Sequence, residues 1–109
     1  MDVHVIKALG DERRLKIVEL LAERERCVCE LAAELGISEA LVSHHVKRLR
    51  DAGLVRARRG AQWLYCRLDE RAFLELSAEL EAVARAGAAA ESATVGACAA
   101  LTRPSGKGA

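Results

Sequence analysis

The sequence predicts a mostly α-helical fold that carries one β-hairpin, and three observations predict it. Residues 30–36, ELAAELG, and the segment after Ser38 both show helical spacing and are joined across a glycine turn. The stretch LVRARRGAQWLYCRL then alternates and carries arginines at its centre. Only Phe73, Trp63 and Tyr65 are aromatic, so the core must be aliphatic, which suits helix packing. Helix, glycine turn, helix and then a hairpin is the winged helix-turn-helix pattern.

Each element follows from local chemistry. VHVIKAL, residues 3–9, predicts a short first helix. In DERRLKIVELLAERE, Leu15, Ile17, Val18, Leu20 and Leu21 recur at helical spacing, and Asp11 and Glu12 favour the N-terminal end through the helix dipole. Leu31 and Leu35 stand four apart and Gly36 ends their helix. Ser38 is a good N-cap for a helix from Glu39 to about Ala52, which Gly53 stops. On that helix Val42, Val46 and Leu49 share one face. Ala40, His44, Lys47 and Asp51 lie opposite, with Ser43 and Arg48 at the flanks. An ordinary helical hairpin also shows such a polar face; the alternating segment behind it favours the winged fold. That segment starts a strand at Leu54–Val55 and turns at Arg58–Ala61. Trp63, Tyr65 and Arg67 then fall on one side, and Leu64, Cys66 and Leu68 on the other. After Asp69, Phe73, Leu76, Leu80 and Val83 form an apolar stripe that either finishes the core or pairs with a second copy. Residues 1–86 are expected to form the folded domain, and the Ala/Gly-rich residues 87–109 a mobile tail.

The length of 109 residues fits one domain, and 51% hydrophobic with 30% charged residues excludes a disordered chain. No apolar run reaches the ~18 residues of a membrane span, and MDVHVIKALGDERR is charged too early for a signal peptide. The expected location is therefore the cytoplasm, away from membranes. There Cys27, Cys29, Cys66 and Cys98 are expected as thiols or metal ligands rather than disulfides. The formal net charge is only +1, yet residues 44–67 hold Lys47, Arg48, Arg50, Arg56, Arg58, Arg59 and Arg67 against one acid, Asp51. Such a segment is a solvated basic face or a phosphate-binding surface. No Gly-rich phosphate loop is present and only three histidines, so an enzyme is not expected.

VIKALGDERRLKIVELL, RCVCELAAELGISEALVSHHVKRLRDAGLV and RRGAQWLYCRL together resemble the ArsR/SmtB family of metal-responsive bacterial repressors, over roughly residues 5–68. The resemblance implies a homodimer, built through the first and last helices, on palindromic double-stranded operator DNA, which an inducer releases. It points to arsenite or antimonite, As(III) above all, as the inducer. Cadmium, lead or zinc sensing, and thiol-redox sensing on the same scaffold, are the alternatives. The pattern departs from the arsenic-sensor type at Ala32, where a third cysteine often stands. The last helix lacks the histidine of a zinc-type site.

The candidate residues follow. Cys27 and Cys29 are soft donors that select thiophilic ions. A third donor is expected from Cys98, ranked first for its reach and lack of a core role, or from Cys66 or His4. Residues i and i+2 point apart on a helix and together in an extended chain, so a bound ion is expected to favour an unwound start of the helix behind the pair. Adjacent-but-one cysteines are not expected to close an easy disulfide. The DNA-facing set is Ser38, Glu39, Ala40, Ser43, His44, Lys47 and Arg48, with Arg56, Arg58 and Arg59 in the wing. Phe73, Leu76, Leu80 and Val83 are the expected dimer contacts.

Overall fold

The computed structural model describes residues 1–93. The elements are α1 (Val3–Leu9), α2 (Glu12–Glu23), β1 (Arg26–Cys27), α3 (Val28–Leu35), α4 (Glu39–Asp51), β2 (Val55–Arg59), β3 (Leu64–Leu68) and α5 (Glu70–Ala93). This is the winged helix-turn-helix order the sequence predicts.

The chain divides into two compact units, Met1–Leu76 and the segment from Ser77 onward. The core of the first unit is aliphatic: Ile17, Leu31, Val42, Val46, Leu49 and Leu54 are almost completely buried, and Cys66 joins them. Burying each large side chain contributes about 1.5–3 kcal/mol. Ala72 and Phe73, in the first turns of α5, pack against this core. The second unit is helical through Ala93, so α5 runs past residue 86 into the Ala/Gly-rich stretch.

Local signals set the reading elements. Gly36 ends α3 with φ +69°, a left-handed conformation that glycine adopts without steric cost. The Ser38 hydroxyl then accepts from the Leu41 N–H at 3.1 Å and starts α4. The wing turn sits slightly later than expected. β2 continues through Arg59, Gly60 N–H donates to the Trp63 carbonyl at 2.9 Å, and Trp63 belongs to the turn rather than to β3. A Cβ at Gly60 would lie 2.9 Å from the Tyr65 ring, so any other residue there would push that ring aside.

One element has no signal in the sequence. Arg26–Cys27 pairs antiparallel with Cys66–Tyr65, so the sheet order is β1-β3-β2 and the cysteine segment is the third strand of the wing. Arg26, though charged, is buried. Its guanidinium donates to the Leu20 carbonyl at 3.1 Å and to the Glu23 carboxylate at 2.6 Å, which fastens β1 to the end of α2.

Candidate functional site

The reading helix α4 divides cleanly. Val42, His45, Val46 and Leu49 are buried, while Ser38, Glu39, Ala40, Ser43, His44, Lys47 and Arg48 are all exposed. Lys47 meets Asp51 at 3.0 Å, but both are exposed, so the pair holds Lys47 only weakly. The adjacent histidines part company. His44 faces out. His45 turns inward, where its Nδ1 accepts from the Arg14 guanidinium at 3.2 Å. Arginine has no acceptor, so this ring is neutral with its proton on Nε2. Burial, opposed by the charge of Asp11, pushes its pKa below the ordinary value, and Arg14, His44 and Arg13 add to that. Arg14 also donates to the Ala8 carbonyl at 2.6 Å, so one guanidinium ties α1 and α2 to the buried face of α4.

The wing arginines sort onto two faces. Successive strand residues point to opposite sides. Arg56 stands across from Arg67, and Arg58 across from Tyr65. Arg56 reaches Asp69 at 3.1 Å. Arg58 makes a two-point contact with Glu25 at 2.9 and 3.1 Å and lies 4.7 Å from the Tyr65 ring centre. The hydrogen bond from Arg58 holds the Glu25 carboxyl below its usual range. Arg59 lies on the other face, in a cleft it shares with Ser43 of α4, Trp63 of the turn and Cys29. The structure thus brings Arg59 together with the reading helix, and sets Arg56 and Arg58 apart from it.

The cysteine pair straddles the start of α3. Cys27 is the N-cap, in extended conformation, and Cys29 is the second helical residue. The Cys27 sulfur accepts from the Glu30 N–H at 3.4 Å, and the Glu30 carboxylate accepts from the Cys27 N–H at 3.0 Å. This is a capping box built on sulfur. The two sulfurs are joined in a disulfide across a Cα separation of 5.3 Å, inside the usual range for such bridges. Two expectations are corrected here: Cys27 and Cys29 stand as a disulfide rather than as thiols, and an i, i+2 pair does close, with Cys27 in extended conformation and only Cys29 helical.

The third-ligand candidates fare differently. Cys66 is fully buried in the core, and desolvation pushes its thiol up to about 11. His4 lines a separate cleft with Lys7, Arg14 and Arg48. Cys98 lies outside the described residues. Among the described residues no group of three or more His, Cys, Asp or Glu side chains is placed to hold a metal ion. Phe73 and Leu76 are half-buried, and Leu80 and Val83 are exposed. Sequence reading missed Glu25, the inward turn of His45 and the cleft at Trp63. Only His45 carried a signal: it stands three residues after Val42 and four before Leu49, on the apolar face.

A polar helix face beside an arginine-bearing hairpin defines a protein of the DNA-binding winged helix-turn-helix class. The family model described as bacterial regulatory protein, arsR family, matches residues 11–57. An arsenic resistance transcriptional regulator of Pseudomonas putida is 45% identical over 65 residues, 59% of this chain and 51% of that protein. An uncharacterized HTH-type transcriptional regulator of Methanocaldococcus jannaschii is 42% identical over 69 residues, 62% of this chain and 78% of that one. Among solved structures, a homodimeric winged helix-turn-helix DNA-binding domain from Mycobacterium bovis, described as a possible ArsR-family regulator, has a TM-score of 0.64. It is 36% identical, over 76% of this chain and 77% of that one. The chain belongs to the ArsR family of transcriptional regulators. It spans about half the length of the first of these curated relatives. Among the described residues no helix is long and apolar enough to cross a membrane.

Proposed function

We propose that this chain is a cytoplasmic repressor that binds operator DNA as a homodimer and releases it when a thiophilic metalloid engages Cys27 and Cys29. Arsenite and antimonite are the favoured inducers, with Cys98 as the third donor. The observation that carries the reading is the sulfur cap on α3. Two soft donors converge at the start of the helix that packs beneath α4. Once a cellular thiol has reduced the Cys27–Cys29 disulfide with two electrons and two protons, Cys27 gives its sulfur to an inducer, the Glu30 N–H loses its acceptor and the first turn of α3 loosens. The DNA-reading helix packs against α3, so the inducer favours the state that binds DNA less well, as any inducer must. The arsenic-resistance role named for the Pseudomonas relative supports the same choice of ligand.

On DNA, Ser43, His44 and Lys47 face base edges or adjacent phosphates, Ser38, Glu39, Ala40 and Arg48 flank them, and Arg59 reaches the backbone. Arg56 and Arg58 contact phosphate after leaving Asp69 and Glu25. Replacing Arg58 and Arg59 together with Ala should flatten the salt dependence of binding by up to about two units, roughly one per phosphate contact. The exposed Val3 and Ile6 of α1 and Leu80 and Val83 of α5 are apolar surface suited to a second copy.

The deciding experiment is a mobility-shift titration on the duplex upstream of the gene, with arsenite, antimonite, cadmium, lead and zinc. Wild type should release DNA with arsenite; Cys27→Ser and Cys29→Ser should bind normally and fail to release. Release by cadmium, lead or zinc alone moves the inducer to that class. A redox reading is favoured by the Cys27–Cys29 disulfide. There two thiols give two protons and two electrons to a peroxide, and release follows the peroxide rather than any ion.

A further inference from the structure

A second cleft, of about 150 Å³, borders the reading helix where α1 meets the last turns of α4. His4 and Lys7 line it from α1, Arg14 from α2, and Arg48 and Asp51 from α4. Lys7, Arg14 and Arg48 thus share the cleft with one carboxylate, and that carboxylate already meets Lys47 at 3.0 Å. Arg14 is committed to structure. It donates to the Ala8 and Lys7 carbonyls at the C-terminal end of α1, and to His45. Lys7 and Arg48 are not so committed: among the described residues neither side chain makes a hydrogen bond or an ion pair. Two unpartnered cations gathered beside a third repel one another in the free protein and favour an anion between them.

The position of the cleft says which anion. An α-helix turns about 100° per residue, so Ser43 and Arg48 stand about 140° apart around α4. Ser43 borders the cleft of Arg59 in the wing, and Arg48 borders the cleft of Lys7. The exposed Ala40, His44 and Lys47 lie between them. A helix in the major groove has a sugar-phosphate strand on each flank. We infer that the cleft of Lys7, Arg14 and Arg48 seats a backbone phosphate of the operator, on the strand across the groove from the one that Arg59 meets. The inference rests on the DNA-binding reading of α4. Lys7 and Arg48 supply charge-assisted hydrogen bonds, and Arg14, held by its three contacts, is the fixed edge of the seat. Such a contact carries no sequence information, but it fixes the register of α4 in the groove and gives α1 a part in DNA binding.

The test measures affinity for the duplex upstream of the gene as a function of salt, using full-length wild type, Lys7→Gln, Lys7→Arg and Arg59→Ala. Lys7→Gln should flatten the salt slope by about one unit and weaken binding to this duplex and to an unrelated one alike, without lowering the melting temperature. Lys7→Arg should restore the slope, because the charge is what counts. Neutral methylphosphonate linkages walked along both strands should weaken wild type at one position per half-site to which Lys7→Gln is indifferent. That position should lie across the groove from the one to which Arg59→Ala is indifferent; two positions on the same strand would overturn the placement. If Arg59→Ala flattens the slope and Lys7→Gln does not, the cleft assignment falls and the DNA-binding reading survives. If wild type binds neither duplex, the DNA-binding reading itself falls. Free inorganic phosphate, compared with chloride at equal ionic strength, is the remaining occupant. A rise in melting temperature that vanishes in Lys7→Gln, with the DNA salt slope unchanged, would make the cleft a small-anion site and overturn the inference.

Discussion

Two helices of this protein start with the same device built from different atoms. At α4 the Ser38 hydroxyl accepts from Leu41 N–H at 3.1 Å. At α3 the Cys27 sulfur accepts from Glu30 N–H at 3.4 Å. Oxygen is the better acceptor, and serine leads the N-cap preferences while sulfur is a weak acceptor. The α4 cap is what helix stability alone would select. The α3 cap gives up some of that stability, and the return-bonding Glu30 carboxylate offsets part of the loss. Under the proposed function, what sulfur adds is exchangeable chemistry: once the disulfide to Cys29 is reduced, a thiophilic partner can withdraw it from the backbone, and a hydroxyl cannot be so withdrawn. On the proposed function, the difference puts the fixed start on the helix that reads and the releasable start on the helix that supports it.

Making the two caps alike gives the largest effect. Measured against the reduced wild type, in which the Cys27–Cys29 disulfide is open, Cys27→Ser should keep α3 capped, raise the unfolding free energy by a few tenths of a kcal/mol up to about 1, and abolish release by arsenite. Thermal melts and DNA anisotropy read these two outcomes separately. A marked loss of stability would mean that Cys27 serves the core rather than the cap. Removing the fixed cap should behave in the opposite way. Ser38→Ala should cost about 1 kcal/mol and weaken DNA binding while leaving arsenite-induced release of the remaining complex intact.

The smallest effect concerns the buried side of α4, which Arg14 and His45 fasten from behind. Burial depresses the His45 pKa, so the folded state prefers the neutral ring. Between that lowered value and the ordinary value of 6.5, the unfolded chain binds more protons. Stability from this group is therefore fully present above about 6.5 and is lost as pH falls through the lowered value. His45→Asn keeps an acceptor for Arg14 and should remove up to one proton from the pH dependence of unfolding between pH 7 and 5. An unchanged slope would show that His45 titrates alike in both states.

The parts of this contrast differ in how far the sequence disclosed them. The α4 cap was legible, because Gly36, Ser38 and the Val42–Val46–Leu49 face are local signals that act within one turn. The thiol pair was legible as chemistry, since two soft donors stand out by type. Its geometry was not. Cys27 is a strand residue only because β3 pairs with it, and a two-residue strand has no periodicity of its own. The same holds for Glu25 and Arg58, which meet across 33 residues of chain. Trp63 was placed on the strand by alternation, but Gly60 bonds to its carbonyl and draws it into the turn. His45 could have been read inward from its spacing, yet its polarity argues the other way until Arg14 supplies a partner.

The central claim is that the sulfur cap is the releasable joint between inducer and reading helix. Amide hydrogen exchange tests it most directly, by following Glu30 and Leu41 in the reduced protein with and without arsenite. The account predicts that Glu30 exchanges about fivefold or more faster when arsenite is bound, as expected for loss of a cap worth about 1 kcal/mol, while Leu41 is unchanged. DNA release by arsenite with Glu30 protection intact would contradict it.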